Sequence, residues 1–218
     1  MDNLTQMLVA MAIIALPVIF AITVHEAAHG YVAHHFGDST AWQLGRVSLN
    51  PLRHIDPMGT ILVPALLYWS TGGAFLFGWA KPVPVNFGRL NNPKKDMLWV
   101  AAAGPFVNLL MAFGWALLMK VTLVMPEHVF SEAIIVMARG GIQINGMLML
   151  LNLLPLPPLD GGRIMVSLLP HRLAWKFAQI ERYGFVILLA LLFTHVLDKI
   201  LGPLMNGFIL LLSLIFNI

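Results

Sequence analysis

The stretch LTQMLVAMAIIALPVIFAITVHEAAHGYVAHHF, residues 4–36, decides how the rest of the chain is read. Crossing a bilayer as a helix takes roughly 20 apolar residues, and this run is longer than that. Yet it carries His25-Glu26-Ala27-Ala28-His29 inside it. Residues four apart share a helix face, so both imidazoles can reach one metal ion, with Glu26 beside them to take a proton from an activated water. Ionisable groups within an apolar helix are costly and rarely idle. A packed or interfacial histidine is the ordinary reading of a lone His. Three ionisable groups within about one turn point instead to a metal.

Composition sets the class. Of 218 residues, 59% are hydrophobic and 11% charged, and mean hydropathy is +0.82. A soluble domain of this length needs far more charge to cover its surface, so the chain reads as a polytopic membrane protein. Residues 1–218 read as a single integral-membrane domain without linker or repeat. Met1-Asp2-Asn3 carries no basic region, and cleavage after the first apolar run would destroy the motif, so no removable leader is expected. Cysteine is absent, which excludes disulfides and thiolate ligands. A metal must then be held by His and carboxylates, which suits zinc. The net charge of +3 reports loop orientation, and no basic run interleaved with aromatics suggests nucleic-acid binding.

Outward from the first helix, Gly37-Asp38-Ser39-Thr40 ends it, and the alternation over residues 43–51 predicts a short strand. Residues 58–69 are apolar but short for a crossing. Gly72-Gly73 then leads into FLFGWAKPVPVN, residues 75–86, whose prolines forbid a regular helix. Irregular backbone is not tolerated against lipid, so this limb must be buried in protein or line a cavity. Spanning helices are expected over residues 97–124 and 133–154, and a final pair over 183–201 and 204–216 joined by Gly202-Pro203. The fold expected is an all-α bundle of about five or six transmembrane or re-entrant segments, with a small β element near the site. Basic residues gather at Lys81, Arg89, Lys94 and Lys95 and again at Arg163, Arg172, Lys176 and Arg182. The positive-inside rule places these loops in the cytoplasm and the loop around Glu127 outside. For both ends of this arrangement to agree, residues 58–69 and the Pro-rich limb must go in and come back.

A catalytic zinc usually keeps three protein ligands and one open position. Asp160, in NLLPLPPLDGGR (residues 152–163), is the best third candidate, because prolines break the helix there and Gly161 and Gly162 permit close backbone approach. Asn108 and Asn152 lie in spanning helices and suit either a hydrogen bond to a substrate carbonyl or oxyanion or helix–helix adhesion. His54, in a Pro-bounded loop near Asp56, suits steadying the substrate oxyanion, binding metal, or a place on the surface. His34 and His35 read as interfacial. Lys81 to Asn86 offers either an extended edge for an unwound substrate or a packed connector. Residues 172–178 resemble a basic amphipathic helix on the membrane surface.

Three segments, His25-Glu26-Ala27-Ala28-His29-Gly30, Ala103-Gly104-Pro105-Phe106-Val107-Asn108 and residues 152–163, occur together and in order. With them the chain resembles the site-2 protease family of intramembrane zinc metalloproteases, in its compact bacterial-type branch; residues 50–59 and 80–86 carry the likeness to that branch. The resemblance implies one Zn2+ held by His25, His29 and Asp160, Glu26 as catalytic base, and hydrolysis of a peptide bond in or near a transmembrane segment of a membrane protein. With the basic loops placed in the cytoplasm, the chain is expected to be a multi-pass protein of the plasma membrane with its active site toward the cytoplasm. Some relatives carry a regulatory domain or an extra preceding helix, and neither is expected here. Selection of substrate then falls to the membrane region or to a separate regulatory membrane partner. Two other readings stand beside it. A di-iron oxygenase requires more paired His motifs; a non-enzymatic zinc-binding membrane scaffold or transporter is the other, and a transporter requires ligands spread along a path.

Overall fold

A computed structural model describes residues 3–70 and 78–218; Gly72, Gly73 and Phe75 to Phe77 lie outside the described residues. Helix α1 spans Asn3–His35, followed by a single turn, α2, at Thr40–Gln43. A 3-10 turn (Pro51–His54) and a π-helical turn (Pro57–Leu62) lead into α3, Val63–Ser70. Helix α4, Pro93–Val124, and α5, Ser131–Asn152, follow. Then come α6 (Asp160–Leu168), α7 (His171–Ala178), α8 (Glu181–Phe193) and α9 (Val196–Phe216). Among the described residues four helices, α1, α4, α5 and α9, are long and apolar enough to cross a membrane. Helix α4 is the hub and packs against α5, α1 and α6. Small residues allow that closeness: Ala112 and Ala116 of α4 and Ala138 of α5 are fully buried beside Phe208 and Leu212 of α9.

Two expectations about segments are corrected. The final break falls at Thr194–His195, where His195 takes a left-handed conformation (φ +56°), and α9 runs straight through Pro203. A proline inside a helix costs one backbone hydrogen bond, but Leu201, Met205, Phe208 and Leu212 bury one face of α9 on both sides of it. Packing therefore outweighs the local signal. At 13 residues, α8 is too short to cross alone.

No strand forms among the described residues, so the expected β element is also corrected. Residues 43–51 are used by the end of α2, by Gly45 with φ +61°, and by Asn50, whose side chain caps the Pro51–His54 turn. The extended limb after Gly78 finds no partner strand, because the amides at Lys81, Val83 and Asn86 are already committed. Lys81 N–H donates to the His54 carbonyl (2.9 Å), Val83 N–H to a carboxylate oxygen of Glu26 (2.7 Å), and Asn86 N–H to Asp38 (2.6 Å). Pro82 and Pro84 have no N–H to give, and Arg46 covers the carbonyls of Lys81 and Pro82. The limb is thus tied along α1 by its own backbone.

The segment before the limb returns to where it left. Trp79 N–H donates to the Gly59 carbonyl (3.0 Å), and the Thr60 hydroxyl donates to the Trp79 carbonyl (2.9 Å). The described ends of the excursion are therefore pinned together, the shape a re-entrant pair requires. Helix α3 has eight residues, none of them buried.

Asp38 anchors the limb beyond the end of α1. It is fully buried and accepts from the Thr40 N–H (3.0 Å), the Thr40 hydroxyl (2.5 Å) and the Asn86 N–H. Burial alone would raise its pKa, but these donors and the nearby Arg89 charge hold the carboxyl below its ordinary value. Because the folded value is depressed, its contribution to stability is present above the unfolded carboxyl pKa of about 4 and lost as pH falls below it. Asp38→Ala is expected to cost roughly 1.5–3 kcal/mol at neutral pH. It should also flatten the acid limb of thermal stability in detergent, measured from pH 7 down to pH 3.

Candidate metal centre

Helix α4 presents one stripe to α1 at four-residue spacing, and each member does a different job. Val100 offers its carbonyl to His29 Nδ1 (2.7 Å). Asn108 places its side-chain oxygen 2.5 Å from His25 Nδ1. Between them Gly104 offers empty space: a Cβ built there would lie 2.5 Å from His25 Cε1 and Nε2 and from His29 Nε2. A carbonyl can only accept, so His29 carries its proton on Nδ1 and leaves Nε2 as a lone pair.

The two Nε2 atoms face one another at 3.1 Å, and Asp160 Oδ2 lies 3.3 Å from each. All ligand atoms of this trio fall within 4.8 Å of one another. Asp160 Oδ2 is buried and receives no hydrogen bond. An anionic oxygen and two imidazole Nε2 atoms, that of His29 a lone pair, converge on one spot, where a cation would hold all three. The donor set of two imidazoles and one carboxylate is one that zinc takes at hydrolytic sites, with a fourth position left open. The residues therefore fit the metal, and among the described residues no other such cluster occurs.

Asp160 reaches the centre because of a tight turn. Helix α5 stops at Asn152, and Pro155, Pro157 and Pro158 keep the chain from continuing as helix. Helix α6 then starts at Asp160, where the positive end of the helix dipole favours a carboxylate. A Cβ on Gly161 would meet the Leu153 and Leu154 carbonyls at 2.4 and 2.3 Å, and one on Gly162 would meet Pro157 N at 2.4 Å. Only glycine lets the proline turn fold back onto the first turn of α6.

The other residues singled out from sequence divide. Glu26 follows His25, is half-buried, and is held through Oε2 by the Val83 N–H. Asn152 ends α5, half-buried and without a hydrogen-bond partner among the described residues. Asn108 is committed to His25 and to Asn145, whose oxygen accepts from Asn108 Nδ2 at 2.9 Å. That use differs from contact with a substrate. His54 does not join the metal trio: its Nε2 donates to the Ser48 carbonyl (2.8 Å), and its own carbonyl receives the limb. His34 stacks on Trp42 with ring centres 4.6 Å apart and meets Ser39. Asn145 was not singled out from sequence. Its signal was an amide in the middle of an apolar helix, which alone does not distinguish it from helix–helix adhesion.

Comparison with known proteins identifies the family. The family model for peptidase family M50 matches residues 121–194, the part that holds Asn145, Asn152 and Asp160. "Putative zinc metalloprotease YwhC" of Bacillus subtilis is 41% identical over 200 residues, covering 90% of this chain and 87% of that protein. "Putative zinc metalloprotease Rip2" is 30% identical both from Mycolicibacterium smegmatis and from Mycobacterium tuberculosis strain H37Rv. The matches cover 83% and 86% of this chain and 66% of each relative. No solved structure matches the chain. A relative this similar across nearly the full length of both chains places the protein in peptidase family M50, the site-2 proteases, as a membrane-embedded metallopeptidase.

Proposed function

We propose that the protein is a zinc-dependent intramembrane endopeptidase that hydrolyses a peptide bond in or beside a transmembrane segment of a membrane-protein substrate. Its proposed zinc ligands are His25, His29 and Asp160, and its general base is Glu26. The observation that carries this reading is the buried, undonated Asp160 Oδ2 set 3.3 Å from the Nε2 atoms of two imidazoles on a helix long and apolar enough to cross a bilayer. When bound there, zinc supplies a Lewis acid that lowers the pKa of water and polarises a carbonyl.

The chain's own residues do the rest. Val83 N–H secures Glu26 Oε2 and leaves Oε1 to take the proton of the attacking water. The water oxygen bonds to the acyl carbon, the C–N bond breaks, and Glu26 returns its proton to the leaving amine. Asn152, with its amide uncommitted and two turns beyond Asn145 on the same face of α5, is the proposed donor to the oxyanion. The limb from Lys81 to Asn86 acts first as a brace for Glu26. Its amides at Lys81, Val83 and Asn86 and its carbonyls at Lys81 and Pro82 are already engaged within the chain, which leaves few positions for a substrate strand to pair with. The unit proposed is the whole of residues 1–218, in the plasma membrane, with the basic loops and the active site toward the cytoplasm. Exposed Leu173 and Trp175 on α7 suit a helix resting on that surface. A di-iron oxygenase finds no second ligand cluster among the described residues.

The test uses purified protein in liposomes with a single-pass transmembrane substrate. Cleavage should stop on treatment with a zinc chelator and return on adding zinc back. Cleavage that is unaffected by complete metal removal contradicts the proposal.

A further inference from the structure

The two candidate ligands on α1 have their protons placed by different means. His29 is set directly by the Val100 carbonyl. His25 faces an amide, Asn108, and an amide can present either its oxygen or its NH2. Something must decide which. Asn108 and Asn145 are both fully buried, so water cannot. The chain of contacts ends at a backbone carbonyl: Asn145 Nδ2 donates to the Gly141 oxygen at 2.8 Å.

From that end every orientation is forced. Gly141 O only accepts, so Asn145 turns its NH2 toward it and its oxygen toward Asn108. Asn108 must then donate to Asn145 at 2.9 Å and show its own oxygen to His25. His25 must therefore hold its proton on Nδ1 and present Nε2 as a lone pair beside Asp160. We infer that Asn145 is a positioning residue of the metal centre, which fixes the tautomer of His25 through the Asn108 amide. The inference rests on the proposed metalloprotease reading, but its own readouts are the proton position and the metal affinity. Outer-shell partners that orient a ligating histidine typically change metal affinity by about 10–100-fold.

Two measurements on the full-length protein test it. In zinc-free wild type labelled with 15N-histidine, the His25 signal, assigned by its loss in His25→Asn, should report the proton on Nδ1. A proton on Nε2 overturns the inference. In chelator competition, Asn145→Leu should weaken zinc binding by about 10–100-fold. The double variant Asn108→Asp with Asn145→Leu should recover most of that loss, because a carboxylate at 108 accepts from His25 without instruction from Asn145. Wild-type affinity in Asn145→Leu overturns the inference, and so does a loss that Asn108→Asp fails to repair, since a packing defect would behave that way. If Asn145→Leu does not fold, the wild-type tautomer decides alone. Failure of wild type to bind zinc at all would instead count against the proposed function.

Discussion

Replacing Asp160 by alanine is expected to remove tightly held zinc while leaving the helical bundle intact. The carboxylate is the only anionic member of the trio. Its loss should therefore cost more than the roughly 10–100-fold that removal of an outer-shell partner costs. Stability should respond differently. Asp160 Oδ2 receives no hydrogen bond, and both imidazoles are held through Nδ1 by α4. Taking the carboxylate away from the metal-free protein thus breaks no donor–acceptor pair and relieves the crowding of three lone pairs. Metal content after dialysis and thermal unfolding with and without zinc read both effects. Zinc should raise the melting temperature of wild type by mass action and leave Asp160→Ala unmoved. A variant that retains one equivalent of zinc would exclude Asp160 as a ligand.

Gly104→Ala should be nearly as damaging, for a reason that helix propensity alone would get backwards. Glycine inside a helix costs about 1 kcal/mol relative to alanine, so the substitution would ordinarily stabilise α4. Here the added Cβ would stand 2.5 Å from atoms of both imidazoles, where no real carbon fits. The rings must swing away from Asp160 or α1 must move off α4. A displacement of about 1 Å at a catalytic centre can cost on the order of 100-fold in rate, and a loss of that size is expected in cleavage assays. Gly114→Ala is the matched control. It lies in the same helix with nothing within 4 Å of the added carbon, and should be neutral or slightly stabilising. Equal behaviour of the two variants would mean that the stripe of Val100, Gly104 and Asn108 does not shape the metal site.

These two residues also mark how far the sequence could be read. The closeness of His25 and His29 on α1 was legible because their spacing is a local fact: residues four apart share a face whatever surrounds them. The position of Asp160 beside them was legible because prolines and glycines announce a break and a tight return. The long apolar runs marked α1, α4 and α5 by composition alone. What remained hidden depended on tertiary contacts. Gly202-Pro203 looks like a turn, but the buried face of α9 carries the helix through it. Residues 43–51 alternate like a strand, but the amides of the limb are taken by His54, Glu26 and Asp38, so no ladder forms. Asn108 stood out as a buried amide in a spanning helix. Its direction, and the existence of Asn145 behind it, required knowing that α4 and α5 meet at that level.

In the proposed mechanism Glu26 moves the proton in hydrolysis at a zinc held by its neighbours. Glu26→Gln tests it most directly, because the amide keeps the shape and the contact surface but cannot take the proton. The variant is to be reconstituted in liposomes with a transmembrane substrate, and zinc content and cleavage measured on the same sample. One zinc per chain is expected, as in wild type, with cleavage reduced by about 100-fold to 10,000-fold. Cleavage at the wild-type rate with zinc still bound would contradict this mechanism.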